Sequence, residues 1–215
     1  MEGIFITFEG IEGSGKSTVA GRIEKLFREA GYRTVLTRDP GGNEISESIR
    51  KIVLNPESDR MNERTELLLY LAGRAQLVEE IIRPALERGK VVLCDRFFDA
   101  TTAYQGWARG LGEDVVGELN SFAINGLVPH LTLLLDLTVE EGFRRGPHRR
   151  EAAGTRGRDR LELESEAFHR SVREGYLRIA KREERVVVID AARTLEDVER
   201  EIIGNINARL GVQLK

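Results

Sequence analysis

Gly10-Ile11-Glu12-Gly13-Ser14-Gly15-Lys16-Ser17 carries the spacing G-x-x-x-x-G-K-[ST], which suits phosphate chemistry. The glycines let consecutive backbone N–H groups curl around a phosphate, and the helix that must begin behind them adds partial positive charge. Lys16 is placed to reach the β- and γ-phosphates, and the Ser17 hydroxyl to complete the shell of a Mg²⁺ ion. The candidate binding loop for a nucleoside triphosphate therefore runs from Gly10 to Thr18. It also locates part of a glycine excess, 22 in 215 residues against a usual ~7%.

Other polar residues stand where they could serve the same chemistry. Asp95 and Arg96 follow the apolar run Val91-Val92-Leu93-Cys94. A carboxylate there commonly holds the metal, directly or through water; a helix-capping Asp is the plainer alternative. Seven arginines (Arg144, Arg145, Arg149, Arg150, Arg156, Arg158 and Arg160) face only Glu151 and Asp159, a local charge of +5. Gly146, Pro147, Gly154 and Gly157 interrupt any helix there. The segment reads either as a lid that closes arginines over transferring phosphates or as a solvated basic loop open to nucleic acid. A phosphate loop on the same sheet edge favours the lid. Tyr70 and Arg74 lie four apart, so a helix presents them on one face. They could sandwich and bond a base, or only pair with each other. Tyr104 and Gln105 are equally ambiguous alone. Cys94 reads as an inert core thiol and Trp107 as packing, and His130, His148 and His169 lack metal-ligand spacing.

Five short apolar runs alternate with helical segments and must position these groups: Ile4 to Phe8, Arg33 to Thr37, Val91 to Cys94, Leu131 to Leu135 and Val186 to Ile189. That alternation predicts an α/β fold, a five-stranded parallel sheet with helices on both faces. Right-handed crossovers gather the strand C-termini, and the loops after them, at one edge. Residues 62 to 88 read as one or two long helices, with Leu67, Leu68, Leu69 and Leu71 giving a broad apolar girth and a largely buried position. Thr194, with Asp197 three residues on, starts the last helix. The length fits a single domain over 1–215. A net charge of −3 argues against bulk binding to nucleic acid. No apolar run approaches a membrane span and no targeting segment opens the chain, so a cytoplasmic protein is expected, consistent with one cysteine.

With these residues assembled, the chain resembles the bacterial thymidylate (dTMP) kinases essentially end to end. Phe8-Glu9-Gly10 through Ser17 is similar to that family's phosphate loop, and Thr37-Arg38-Asp39-Pro40-Gly41-Gly42 to its T-R-[DE]-P-G-G segment, which contacts the nucleoside monophosphate. Leu67 to Gln76 resembles its base-stacking helix, Asp95-Arg96-Phe97 its D-R-[YFH] motif, and Ala103-Tyr104-Gln105 its A-Y-Q. Asp159-Arg160-Leu161-Glu162 is similar to the end of its lid. The chain departs at Ala100-Thr101, where a pair of hydroxyl residues is usual, at His130 in place of an aspartate, and in a long lid.

The resemblance implies a P-loop nucleoside monophosphate kinase fold with a lid at about 144–160, and ATP-dependent conversion of dTMP to dTDP with Mg²⁺. It assigns dTMP contacts to Glu12, Arg38, Tyr70, Arg74, Arg96, Thr101, Tyr104 and Gln105. Glu12 would lie near the sugar 3′-hydroxyl and Tyr104 near C2′, where it disfavours ribonucleotides. Ser17 and Asp95 would hold the metal. Lys16, Arg96 and lid arginines would be catalytic: Arg149 and Arg156 are taken, with Arg150 and Arg158 competing. Ser14 in place of an arginine fits the type that draws its catalytic arginine from the lid. A homodimer is implied, with no nucleic-acid or membrane partner. Rival readings are another nucleoside monophosphate kinase or a deoxynucleoside kinase, a GTPase-like regulator, and a nucleic-acid binder using the basic loop. Tyr70, Arg74 and Gln105 argue against the first, and the lack of an N-K-x-D segment against the second.

Overall fold

The computed structural model describes residues 3–145 and 159–215. Five parallel strands form one sheet: β1 (Ile4–Glu9), β2 (Thr34–Arg38), β3 (Val91–Asp95), β4 (Leu131–Asp136) and β5 (Val186–Asp190), in the order β2-β3-β1-β4-β5. Parallel neighbours need crossovers, and helices supply them. α1 (Lys16–Glu29) leads to β2, and α2 (Glu44–Val53) and α3 (Glu63–Leu77) precede β3. α3 continues through a π-helical turn, Val78–Ile82, into α4 (Arg83–Glu87), so the expected long helix is one rod with a widened turn. α5 (Phe98–Thr101), a second π-helical stretch (Thr102–Ala108) and α6 (Glu113–Ile124) connect β3 to β4. α7 (Val139–Arg145) and α8 (Glu166–Arg182) precede β5, and α9 (Leu195–Leu210) closes the fold.

Alternating strand residues supply both faces of the core. Ile6, Phe8, Leu93 and Leu133 pack on α1 and α9 through residues such as Ile23, Phe27 and Ile202. On the other face, Phe5, Val92 and Cys94 meet Leu77, Val78 and Ile82 of the α3 rod, while Leu134 meets Val172 and Tyr176 of α8. Complete burial of each such side chain contributes about 1.5–3 kcal/mol. Several helices begin on side-chain caps. The Asn43, Asn62 and Ser165 side chains each accept from a first-turn amide, and Thr194 Oγ1 accepts from Asp197 N as its spacing suggested. Among the described residues no helix is long and apolar enough to cross a membrane.

One expectation needs correction. Leu67 and Leu71 are buried, but Leu68 is 58% exposed. α3 is covered by α2 and α6 rather than ringed by neighbours, so one leucine of the run faces outward. His130, the unusual residue before β4, accepts from Phe5 N through Nδ1 at 2.9 Å, tying β4 to β1.

Candidate active site

β1 lies between β3 and β4, so the loop after it opens at the point where the strand order diverges, the usual ligand crevice of such sheets. Gly10, Gly13 and Gly15 all have positive φ (137°, 78° and 89°), the backbone that the glycine spacing implies. Lys16 is buried; its Nζ donates to Ile11 O at 2.8 Å and Ser14 Oγ at 3.4 Å, across the loop. Burial, reinforced by the nearby Arg96, lowers its pKa. A Cβ on Gly13 would lie 2.3 Å from Gly142 O, and one on Gly142 would lie 2.7 Å from Glu12 O. Only a pair of glycines lets the loop pack so closely on α7.

The Ser17 hydroxyl donates to the Asp95 carboxylate at the adjoining strand end. A hydroxyl and a carboxylate meeting beneath a phosphate loop are hard oxygen donors, and they fit Mg²⁺. Arg38 faces this side, lining an open cleft with Ser17 and Asp95. Its guanidinium is paired with Glu47, Nη2 donating to Oε1 at 2.9 Å. The pair is half exposed.

A second pocket gathers Glu12, Tyr70, Arg74, Arg96, Thr101, Tyr104 and Gln105. Seven of the eight residues that the resemblance assigned to dTMP thus share one pocket, and Arg38 stands outside it. Arg96 has φ +70°, a conformation costing a non-glycine about 1–2 kcal/mol. The end of β1 holds it there: Arg96 N donates to Phe8 O at 2.9 Å and Phe97 N to Glu9 Oε1 at 2.7 Å. Its guanidinium bonds the Glu12 carboxylate and lies 5.1 Å from the Tyr104 ring centre. Burial opposes its charge, but Tyr104, Glu12 and Asp95 outweigh burial and raise its pKa. Burial pushes the Tyr104 phenol up to about 12.

Arg74 is 1% exposed and held on every side. Nε donates to Asp39 Oδ2 at 2.5 Å, Nη1 to Asn120 Oδ1 at 2.7 Å, and Nη2 to Thr101 Oγ1 at 2.7 Å. Burial raises the Asp39 pKa despite this partner. Tyr104 and Gln105 lie in the π-helical stretch, a widened turn of the kind often found at functional sites.

Three residues in or beside the pocket were given no site role from sequence. Arg50, on α2, lines it and donates from Nη1 to Pro40 O at 2.9 Å. Burial, then the charge of Arg38, lowers its pKa, so an anion nearby would stabilise it. Asp159 also lines the cavity, its Oδ1 capping Leu161 N and Glu162 N. Glu66, beside the pocket on α3, accepts from Gln105, Arg109 and Arg160. Only a helical i+4 spacing to Tyr70 marks Glu66 in the sequence. Arg149, Arg150, Arg156 and Arg158 lie outside the described residues. Arg144 and Arg145, the last residues of α7, pair with Glu141.

Known proteins resemble the chain over nearly its whole length. A family profile described as thymidylate kinase matches residues 8–202. The chain is 50% identical over 211 residues to a thymidylate kinase of Geobacillus thermodenitrificans, covering 98% of this chain and 92% of the relative. It is 47% identical over 204 residues to one from Bacillus pumilus, covering 94% of each. The crystal structure of a thymidylate kinase from Ehrlichia chaffeensis superposes with a TM-score of 0.76 at 31% identity, over 96% of this chain and 99% of that one.

Proposed function

The chain belongs to the thymidylate kinase family, and from that premise we infer how its own residues transfer phosphoryl groups. It phosphorylates dTMP to dTDP at the expense of ATP. The observation that carries the mechanism is the shared sheet edge: the phosphate loop and the pocket of Tyr70, Arg74, Arg96 and Gln105 open side by side.

The acceptor is a phosphate with a second pKa near ~6, already largely dianionic at neutral pH. No general base is needed, and the barrier lies in aligning two anions. The loop amides and Lys16 bind the β- and γ-phosphates of ATP. Arg96 and Arg50 draw the acceptor phosphate into line. Arg38 would join them only by releasing Glu47. A lid arginine, Arg149 or Arg156 with Arg150 and Arg158 as alternatives, adds positive charge over the transferring group. Ser17 and Asp95 would hold Mg²⁺, which when bound neutralises charge on the β- and γ-oxygens. Tyr70 covers the base, Arg74 and Gln105 bond its edge, Thr101 supports Arg74, Glu12 lies toward the sugar, and Tyr104 fills the space that a 2′-hydroxyl would need.

The chain acts as one domain over 1–215 in the cytoplasm, a place that suits its buried lone thiol. A second copy covers the exposed apolar residues Ile45 and Ile52 of α2, Leu68 of α3, and Val115 and Phe122 of α6, helices that pack in succession. ADP release measured with dTMP, dUMP, dGMP and AMP tests the activity. Turnover should be fastest with dTMP, and none with dTMP would overturn the reading.

A further inference from the structure

Gln105 can bond a base edge with either end of its amide, and the two ends have opposite meaning. A carbonyl turned to the pocket accepts from N3–H of thymine, whereas an amino group turned there donates to N3 of cytosine. Which end points inward is therefore a question of specificity.

The surroundings of Gln105 fix the answer. Its Nε2 donates to Glu66 Oε1 at 2.7 Å, and the side chain is 1% exposed. Glu66 is 1% exposed, and its carboxylate can only accept. Burial works toward protonating it, but bonds from Gln105 and Arg109, with the charges of Arg109 and Arg160, outweigh burial and hold its pKa below the ordinary value. Arg109 Nη2 donates to Glu66 Oε2 at 3.2 Å, Arg109 Nε reaches Oε1 at 3.3 Å, and Arg160 Nη2 bonds Oε2. With the carboxylate ionised and accepting, the Gln105 amino group is committed to it, and Oε1 is left as the atom available to the cavity that Gln105 lines.

We propose that Glu66 is a positioning residue for base selection: it locks the Gln105 amide so that an acceptor faces the pyrimidine N3. The lock rests on the proposed role of Gln105 in binding the base, and it complements Arg74. Arginine offers only donors, which suit the C4 carbonyl of thymine and repel the C4 amino group of cytosine. Donor at C4 and acceptor at N3 together demand a 4-oxo pyrimidine with a protonated N3.

Glu66→Gln tests the lock with little change of shape. Two arginines bond Oε2, so the new amide should put its oxygen there and its NH2 toward Gln105. Gln105 must then turn its carbonyl to residue 66 and its amino group to the pocket. The expected result is a rise in KM for dTMP of about 10-fold, the scale of one lost hydrogen bond turned to a clash. The ratio of kcat/KM for dTMP to that for dCMP should fall further, because dCMP gains. KM for ATP should stay the same.

Glu66→Asp, which still only accepts, should retain the wild-type ratio. Equal losses with dTMP and dCMP in Glu66→Gln, or a ratio that falls as far in Glu66→Asp, would overturn the proposal. Gln105→Leu separates it from its premise. An unchanged KM for dTMP there removes the base-binding role of Gln105, whereas a normal Gln105 effect with an unaltered Glu66→Gln ratio removes the lock alone. If Glu66→Gln does not fold, the wild-type enzyme serves. The Gln105 side-chain NH2 should exchange slowly with water whether or not dTMP is present. Protection gained only on adding dTMP would show the amino group facing the base and refute the lock.

Discussion

Glu9 is wholly buried at the end of β1, accepting from Phe97 N at 2.7 Å and from the Tyr176 hydroxyl at 2.8 Å. Burial, with the Asp99 charge, pushes its pKa from an ordinary 4.5 up to about 8, against the opposing effects of Tyr176, Arg96 and the Phe97 amide. An acid with a raised folded-state pKa keeps its proton in the folded chain after the unfolded chain has lost it. Below pH 4.5 both forms are protonated and Glu9 costs nothing; between 4.5 and about 8 the unfolded state gains with every unit; above 8 the loss is complete. At ~1.4 kcal/mol per unit, the cost reaches roughly 3 kcal/mol at pH 7. Glu9→Gln resembles the neutral acid: its carbonyl can accept from Phe97 N and its NH2 can donate to Tyr176. The variant should therefore gain stability relative to wild type as pH rises, by roughly 2–3 kcal/mol more at pH 7 than at pH 5. For a chain of this length that is a growth in the Tm difference of about 5–10 °C. Unfolding of both proteins at pH 5, 6, 7 and 8 measures it, and any constant penalty from the altered Tyr176 bond cancels. A stability difference independent of pH over that range would refute a protonated Glu9.

Other outcomes follow from single contacts. Gly142→Ala should push the phosphate loop away from α7, because the new methyl meets Glu12 O at 2.7 Å. Overpacking of about 1–3 kcal/mol should appear as a raised KM for ATP, and an unchanged KM would mean that the loop yields freely. Arg74→Ala should weaken dTMP binding by about 1–3 kcal/mol in calorimetry, and undiminished affinity would remove its base contact. Tyr104→Ala should improve use of ribothymidine monophosphate relative to dTMP, and an unaltered preference would count against steric exclusion at C2′. Phe122→Asp, at a side chain 87% exposed, should leave the fold intact and yield monomers in sedimentation; an unchanged mass would place any interface elsewhere.

What the sequence discloses about this site is whatever depends on neighbours within one element or one loop. The glycine spacing carries the positive φ angles of Gly10, Gly13 and Gly15, and the i+4 spacing carries Tyr70 and Arg74 to one face. The apolar runs locate all five strands, so their polar ends, Asp95 among them, must meet at the loop. Partner choice between elements is a different matter. Arg38 carries a motif that points to the acceptor, yet Glu47, nine residues on, captures its guanidinium. Arg50 looks like any exposed helical arginine until α2 docks on α3, where Ser46 Oγ donates to Gly73 O at 2.7 Å. Leu68 looks like core because an unbroken run of leucines gives no period to say which one faces out.

The same distinction explains why the groups that hold Arg74 and Gln105 escape a linear reading. Glu66 and Gln105 are 39 residues apart, Asn120 and Arg74 46 apart, and Arg160 reaches Val53 O across 107. No periodicity links such pairs, and the π-helical widening that turns Tyr104 and Gln105 inward has no residue signature of its own. Burial then makes these pairings consequential. A side chain with 1% exposure has no water to replace a lost partner, so the loss of one acceptor must be met by turning another group. On the proposed roles of Arg74 and Gln105, specificity in this pocket depends as much on what holds these two residues as on the residues themselves. A substitution at Glu66 or Asn120 should alter which base is accepted before it alters whether the protein folds.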